Sequence, residues 1–359
     1  MSSFITRIQI ISRLRENSLP YAEMPLQNGM SINVLERGGR VYGPFLEDGS
    51  ESFYWLPSVF RDAAAFSWLA GNPTGWNLGG DRIWIAPEIQ YLVQDLRDPI
   101  NGYAVPAQMD PGNWRFEERS ARLCRLSSRM DLEAMNIQKG QKSLRLDMRI
   151  TPAPDPLRQL SAYSKLVRKV VYGGYEHTLT ISEATTDSIQ SAVWNVIQLR
   201  AGGVVYIPCL PMVEPTIYFG SLEGGYQEFR PGCVRLRLTA DRIFKTGYKA
   251  AHVMGRIAYL NHLSDGRHYL LIRNFPNHPS SDYLEQPVDR LGRRGDSIYV
   301  YNDDGSTGRF GEMECMGQAI GGRSGRRSST DTFSLWCYVG ALLELRAIGK
   351  HLLGIEVTL

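Results

Sequence analysis

The chain has 359 residues, 43% hydrophobic and 21% charged, with 40 basic against 37 acidic side chains and a net charge of +3. That composition suits a globular chain with a sizeable core, and no apolar run approaches the roughly 18 residues that span a bilayer. Charge is mixed along the chain, and the two locally basic stretches, 290–294 and 323–327, lie among glycines without interleaved aromatics. They read as solvated loops, so neither a membrane nor nucleic acid is an expected partner.

Residues 1–15 alternate apolar and polar side chains and lack the cationic start and long apolar stretch of a secretory signal. Segments 30–36 and 41–45 flank Gly38-Gly39 and predict a hairpin. Further strands are predicted at 82–86, 144–150, 177–182, 192–199, 204–207, 234–238, 269–274, 297–301 and 310–316. Asn28-Gly29, Asn101-Gly102, Asp265-Gly266 and Asp304-Gly305 mark tight turns, because glycine accepts positive φ where other residues resist it.

Helical signal is confined to a turn or two within 58–68 and 186–192 and to 342–353, where Gly354 is placed to stop the helix. The proline-rich segment 151–157 reads as a connection between two halves of one unit. The expected architecture is all-β: one large antiparallel β-sandwich domain over 1–359 with few short helices. Strands without βαβ alternation exclude Rossmann and TIM-barrel folds.

The five cysteines (Cys124, Cys209, Cys233, Cys315, Cys337) are odd in number, widely spaced and form no CxxC pair. Buried, reduced thiols in a cytoplasmic protein are therefore expected rather than a disulfide framework or a zinc site. His262 and His268 with Asp265 have no familiar metal spacing, and no Walker loop, dinucleotide fingerprint or GxSxG elbow is present.

Five segments in order carry a resemblance: Gly38-Gly39-Arg40-Val41-Tyr42-Gly43, then Gly79-Gly80-Asp81-Arg82-Ile83-Trp84-Ile85-Ala86-Pro87-Glu88, then Val193 to Leu199 running into Gly202-Gly203 and Ile207-Pro208. Phe244-Lys245-Thr246-Gly247 and Phe310-Gly311-Glu312-Met313-Glu314-Cys315 follow. Taken together they resemble the galactose mutarotase-like (aldose 1-epimerase-like) superfamily. The resemblance implies a supersandwich that binds a sugar or sugar acid in a groove across one sheet, without metal or organic cofactor. Aldose 1-epimerases carry two histidines that this chain lacks in context. The Ala86-Pro87-Glu88 region fills the early position, and Trp194 or Gln198 the central one.

Sugar-ring opening needs a base at the anomeric hydroxyl and an acid at the ring oxygen. The resemblance makes Glu312 the base. Glu314, two residues along the same predicted strand, shares its face and is the candidate partner, since like charges raise one pKa. The plain alternative is that both face solvent or pair with arginines. Arg82 offers a planar fork for sugar oxygens or a carboxylate, Trp84 an indole to stack on a pyranose, and Glu88 an acceptor for hydroxyls. Packing of Trp84 in the core with Arg82 paired to Asp81 is the alternative for that strand. Lys245 can bind an anionic substrate, or donate a proton if burial lowers its pKa. His252 and Tyr259 follow it in an apolar stretch and are expected to line the same cleft. The expected function is aldose-epimerase-like chemistry on a sugar or sugar acid; alternatives are a non-catalytic carbohydrate-binding or sensing protein, or a sugar lyase or hydrolase on the same fold. Oligomeric state is not legible.

Overall fold

The computed structural model describes residues 4–47 and 49–359, so the first three residues of the N-terminal reading lie outside the described residues. In chain order the first strands are β1 (Tyr21–Pro25), β2 (Ser31–Leu35), β3 (Arg40–Phe45), β4 (Asp81–Ala86), β5 (Arg115–Arg119), β6 (Cys124–Ala134), β7 (Gly140–Pro152) and β8 (Val171–Glu183). Then come β9 (Ala192–Arg200), β10 (Gly203–Pro208), β11 (Pro215–Gly220), β12 (Gln227–Arg230), β13 (Cys233–Leu238) and β14 (Phe244–Lys249). The last are β15 (Arg256–His262), β16 (His268–Asn274), β17 (Asp296–Asn302), β18 (Phe310–Met316) and β19 (Ser328–Gly340). Helices are α1 (Arg7–Glu16), α2 (Ala63–Gly71), α3 (Glu88–Tyr91), α4 (Tyr163–Val167) and α5 (Leu342–Leu353).

Two antiparallel sheets result. One has nine strands in the order β1-β2-β3-β4-β9-β18-β17-β14-β11, the other ten in the order β12-β13-β10-β15-β16-β19-β8-β7-β6-β5. Because side chains alternate across a strand, each sheet offers one set to the space between them. Ile83, Ile85, Met313 and Cys315 from the nine-stranded sheet meet Leu146, Met148, Leu179, Ile181 and Leu335 from the other. Burying each such side chain contributes about 1.5–3 kcal/mol. The architecture is the antiparallel β-sandwich expected, and all five cysteines are buried and free.

Outer faces are covered unevenly. Leu345, Ile348 and Leu352 of α5 pack on Tyr206, Leu260, Leu270 and Tyr338, so the middle of the ten-stranded sheet is buried on both sides. Gly354 ends α5 at φ 72, the left-handed position glycine occupies without strain. Ile10, Leu14, Phe66 and Ala70 of α1 and α2 join Leu35, Tyr42 and Phe45 at the other sheet's edge. The N-terminal segment, read as alternating, is instead this helix α1: Thr6 and Gln9 form a reciprocal capping box.

The helical turn expected within 186–192 is absent; the segment is irregular before β9. Asp187 there accepts from the buried Lys142 at 2.9 Å and from the Ile189 amide at 2.8 Å, which bends the chain at Ser188 in place of a helical turn. The proline-rich segment joins β7 to β8, which pair directly. No helix among the described residues is long and apolar enough to cross a membrane.

Candidate functional site

Strand β4 decides which face carries chemistry. Asp81 points between the sheets, where it accepts from Tyr175 and Arg273 of the ten-stranded sheet, each at 2.5 Å. Arg82 and Trp84 therefore lie on the opposite, outer face. Pairing places Trp84 opposite Trp194 and Gln198 opposite Glu312, so β9 and β18 bring Trp194, Gln198, Glu312 and Glu314 to that same face. Lys245 reaches it from β14, and Glu88 from α3, just after the end of β4.

The side chains form a continuous chain of contacts. Arg82 Nη2 donates to Glu312 Oε1 at 3.0 Å, and Arg82 Nε lies 3.9 Å from Asp110 Oδ2. Arg40 donates to the same Asp110 oxygen at 2.5 Å, and Trp84 Nε1 donates to it at 2.8 Å. Lys245 Nζ donates to Glu88 Oε2 at 2.8 Å and lies 3.5 Å from Glu314 Oε2, which accepts from Trp194 Nε1 at 2.9 Å. The Glu88 amide donates to Glu285 Oε2 at 2.7 Å.

Cations sit over indoles, with Arg82 4.3 Å from the Trp84 ring centre and Lys245 4.2 Å from that of Trp194. Arg82 thus pairs with Glu312 rather than Asp81, and Trp84, expected to stack on a sugar, is instead buried beneath Arg82 and between Trp76 and Trp194, the packed alternative.

Five carboxyls (Glu88, Asp110, Glu285, Glu312, Glu314) meet three cations (Arg40, Arg82, Lys245) in this cluster, with Arg37 acting on Asp110 and Arg294 on Glu285 from its edges. Burial disfavours the charged form of a carboxyl, and it raises Glu285, Glu312 and Glu314. Burial pushes Glu314 up to about 8, against the pull of Lys245 and with the help of the Glu312 and Glu88 charges. Burial and the Glu88 charge push Glu285 up to about 7. Glu312 is also raised by burial, with the Arg82 guanidinium opposing. Burial works against the Lys245 ammonium, but Glu314, Glu88 and Glu285 outweigh it and its pKa rises. That corrects the expectation of a lysine with a lowered pKa.

Glu314 Oε1, Gln198 Oε1 and Arg82 Nη1 are buried and make no hydrogen bond among the described residues. The cluster meets solvent at Glu312 and Glu88, whose side chains are 11% and 16% exposed.

Two candidates do not belong. Tyr259 lies on β15 of the ten-stranded sheet and points into the space between the sheets, where its hydroxyl donates to the Arg200 carbonyl and accepts from Asn261 Nδ2 at 2.8 Å. His252 sits in the turn after β14, its carbonyl accepting from the Leu210 amide at 2.8 Å. The physical reason is the same for both: the chain leaves the nine-stranded sheet at Lys249 and crosses to the other sheet. Asp110, Glu285, Trp76 and Tyr103 complete the cluster from loops and were not expected. Loop residues carry no periodicity that would mark them, although Asp110-Pro111 and Glu285-Gln286-Pro287 are acidic residues held beside prolines. The two basic loops, each expected to be solvated, lie beside each other: Arg294 and Arg323 line one cleft of about 260 Å³.

No protein-family model and no curated protein matches the chain. Among solved structures it is similar to a galactose mutarotase-like protein from Lactobacillus casei, at 11% identity and TM-score 0.47, covering 89% of this chain and 100% of that one. It is also similar to a galactose mutarotase related enzyme from Lactobacillus acidophilus, at 8% identity and TM-score 0.47, covering 88% and 96%. A third is an aldose epimerase homologue from C. elegans, at 8% identity and TM-score 0.40, covering 90% and 99%. The two-sheet architecture rests on this chain's own strand pairing.

Proposed function

We propose that the chain binds a sugar or sugar acid over the outer face of the nine-stranded sheet and interconverts it by carboxylate acid/base chemistry of the aldose-epimerase kind. The observation that carries this reading is the unequal pair on β18. Burial raises both carboxyls, but at Glu312 the Arg82 guanidinium opposes the rise. Glu314 is fully buried and, with a pKa of about 8, keeps its proton at neutral pH. A carboxyl held by a guanidinium beside one that keeps its proton suits acid/base division. In this reading Glu312 removes the anomeric hydroxyl proton and Glu314 supplies the ring oxygen's proton. Arg82, Gln198 and Glu88 bind hydroxyls, and Lys245 and Trp194 hold Glu314 in place.

The test is anomer exchange followed by NMR across a panel of sugars and sugar acids. Glu312→Gln is expected to slow exchange about 10²–10⁴-fold without a matching fall in melting temperature. An unchanged rate would remove the base assignment. A non-catalytic binding protein is the second reading, favoured by the ion pairs that already hold Arg82 and Lys245 inside the cluster. It requires sugar-dependent thermal stabilisation with no exchange.

A further inference from the structure

Beside the acidic cluster, beyond Asn77, lies a cleft of about 610 Å³, within the range of about 300–1,000 Å³ typical of small-ligand sites. Its charge is the reverse of the cluster's. Three arginines, Arg61, Arg200 and Arg309, line it, and no carboxylate does among the described residues. Arg200 is already paired with Glu51 and lies 3.8 Å over the Phe4 ring. Arg61 and Arg309 are exposed and make no ion pair among the described residues.

The wall that carries Arg309 is built rather than loose. Asp303 accepts from the amides of Gly305 at 2.9 Å, Gly308 at 3.2 Å and Arg309 at 2.8 Å, and from the Thr307 hydroxyl at 2.6 Å. Gly308 lies against the half-buried Trp55, where an added Cβ would come 2.4 Å from the indole. That indole, resting on Phe310 at 4.6 Å, supplies an aromatic wall.

The cleft also communicates with the cluster. Asn77 Nδ2 donates to the Thr307 carbonyl at 3.1 Å, and Asn77 Oδ1 accepts from Gln198 Nε2 at 3.1 Å. Gln198 stands opposite Glu312 in the β9–β18 register, and its own Oε1 is buried without a partner. One amide pair therefore separates a cationic, aromatic-walled cleft from the base assigned above.

We propose that this cleft binds a small carbohydrate bearing an anionic group, a carboxylate or a phosphate ester, with Arg61 and Arg309 taking the anion and Trp55 the ring. Guanidinium forks match both anions bidentately, and an indole suits a pyranose face. The choice of a sugar rests on the preceding reading, whereas the need for an anion rests on the cleft alone.

Calorimetric titration at low salt with glucose, glucuronate, glucose 6-phosphate and inorganic phosphate tests it. At least one anionic sugar is expected to bind about tenfold or more tightly than glucose, with added salt eroding the margin. The double variant Arg61→Ala/Arg309→Ala, both positions being exposed, is expected to melt like the parent and lose that margin. Glucuronate against glucose 6-phosphate decides which anion is preferred. Equal affinity for glucose and both anionic sugars, or an unchanged margin in the double variant, overturns the proposal. Inorganic phosphate binding as tightly as glucose 6-phosphate overturns its carbohydrate part. Accelerated exchange of neutral sugars with no anion preference would sink the cleft and spare the function proposed above. Tight anionic-sugar binding without any exchange would do the reverse.

Discussion

Asp81 and Arg82 are neighbours in sequence, yet they serve opposite faces of β4, and the two faces settle charge differently. On the inner face one carboxylate, Asp81, meets the Arg273 guanidinium, with the His177 imidazole 4.0 Å away. Asp81 accepts from Arg273, from Tyr175, whose hydroxyl also lies 2.6 Å from that of Tyr54, and from Asn195 Nδ2 at 2.6 Å. Burial alone would raise its pKa, but Arg273 and the hydrogen bonds override that and hold it well below the carboxylate range. On the outer face burial raises Glu285, Glu312 and Glu314, so protons as well as cations neutralise the carboxyls. Neighbouring positions on a single strand thus yield a closed structural network and a set of groups poised to exchange protons. Alternation across the pleat is the entire cause.

The comparison breaks most sharply at Asp81. Asp81→Ala leaves Arg273 charged and buried, and the expected cost is about 3–5 kcal/mol in urea unfolding at pH 7. A loss below about 1 kcal/mol would mean the inner network contributes no more than a surface ion pair does.

On the outer face Lys245→Met removes the cation shared by Glu88 and Glu314. The expected loss is about 2 kcal/mol at pH 8 and clearly less at pH 5, where the carboxyls can take up protons instead. The same loss at both pH values would contradict carboxyls raised by burial.

The smallest expected effect is also the most specific. Glu314 has a folded pKa of about 8 against an ordinary value of 4.5, so between those values the folded state holds a proton that the unfolded state has released. Stability contributed by the neutral group is complete below pH 4.5 and is lost as pH rises through 8. Glu314→Gln should flatten that decline by roughly 1 kcal/mol or more between pH 5 and 8. Denaturant midpoints at four pH values measure it, and parallel curves for parent and variant would count against a protonated Glu314.

Much of this was legible in the residues where period two was intact and turns were marked. Segments 30–36 and 41–45 around Gly38-Gly39 form the β2–β3 hairpin, and 342–353 stopped by Gly354 is α5. Strand β6 was missed although its inward file of Cys124, Leu126, Met130 and Leu132 alternates cleanly, because Ser128 interrupts it. Strands β14 and β15 were missed for a different reason: burial on both faces erases alternation, as the buried runs 244–248 and 257–261 show.

The cluster was legible to the extent that its members lie on strands. Arg82, Trp194, Glu312, Glu314 and Lys245 come together because the parity of neighbouring strands places them on one face. Asp110 and Glu285 come from loops, where no rule of alternation applies. Tyr259 and His252 were misplaced because sequence proximity to Lys245 conceals the crossing between sheets.

The strand order of the nine-stranded sheet also shapes how the chain reaches its native state. β18 inserts between β9, which ends at Arg200, and β17, so the centre of the sheet is closed by a segment that begins only at Phe310. During synthesis from the N-terminus, the apolar β9 emerges long before its partner and waits with an unpaired edge. Such non-local closure is slow and exposes an edge that can recruit another chain. Nascent chains halted before β18 therefore expose that edge, and the last strand to join this sheet is the one that carries both carboxyls of the proposed pair.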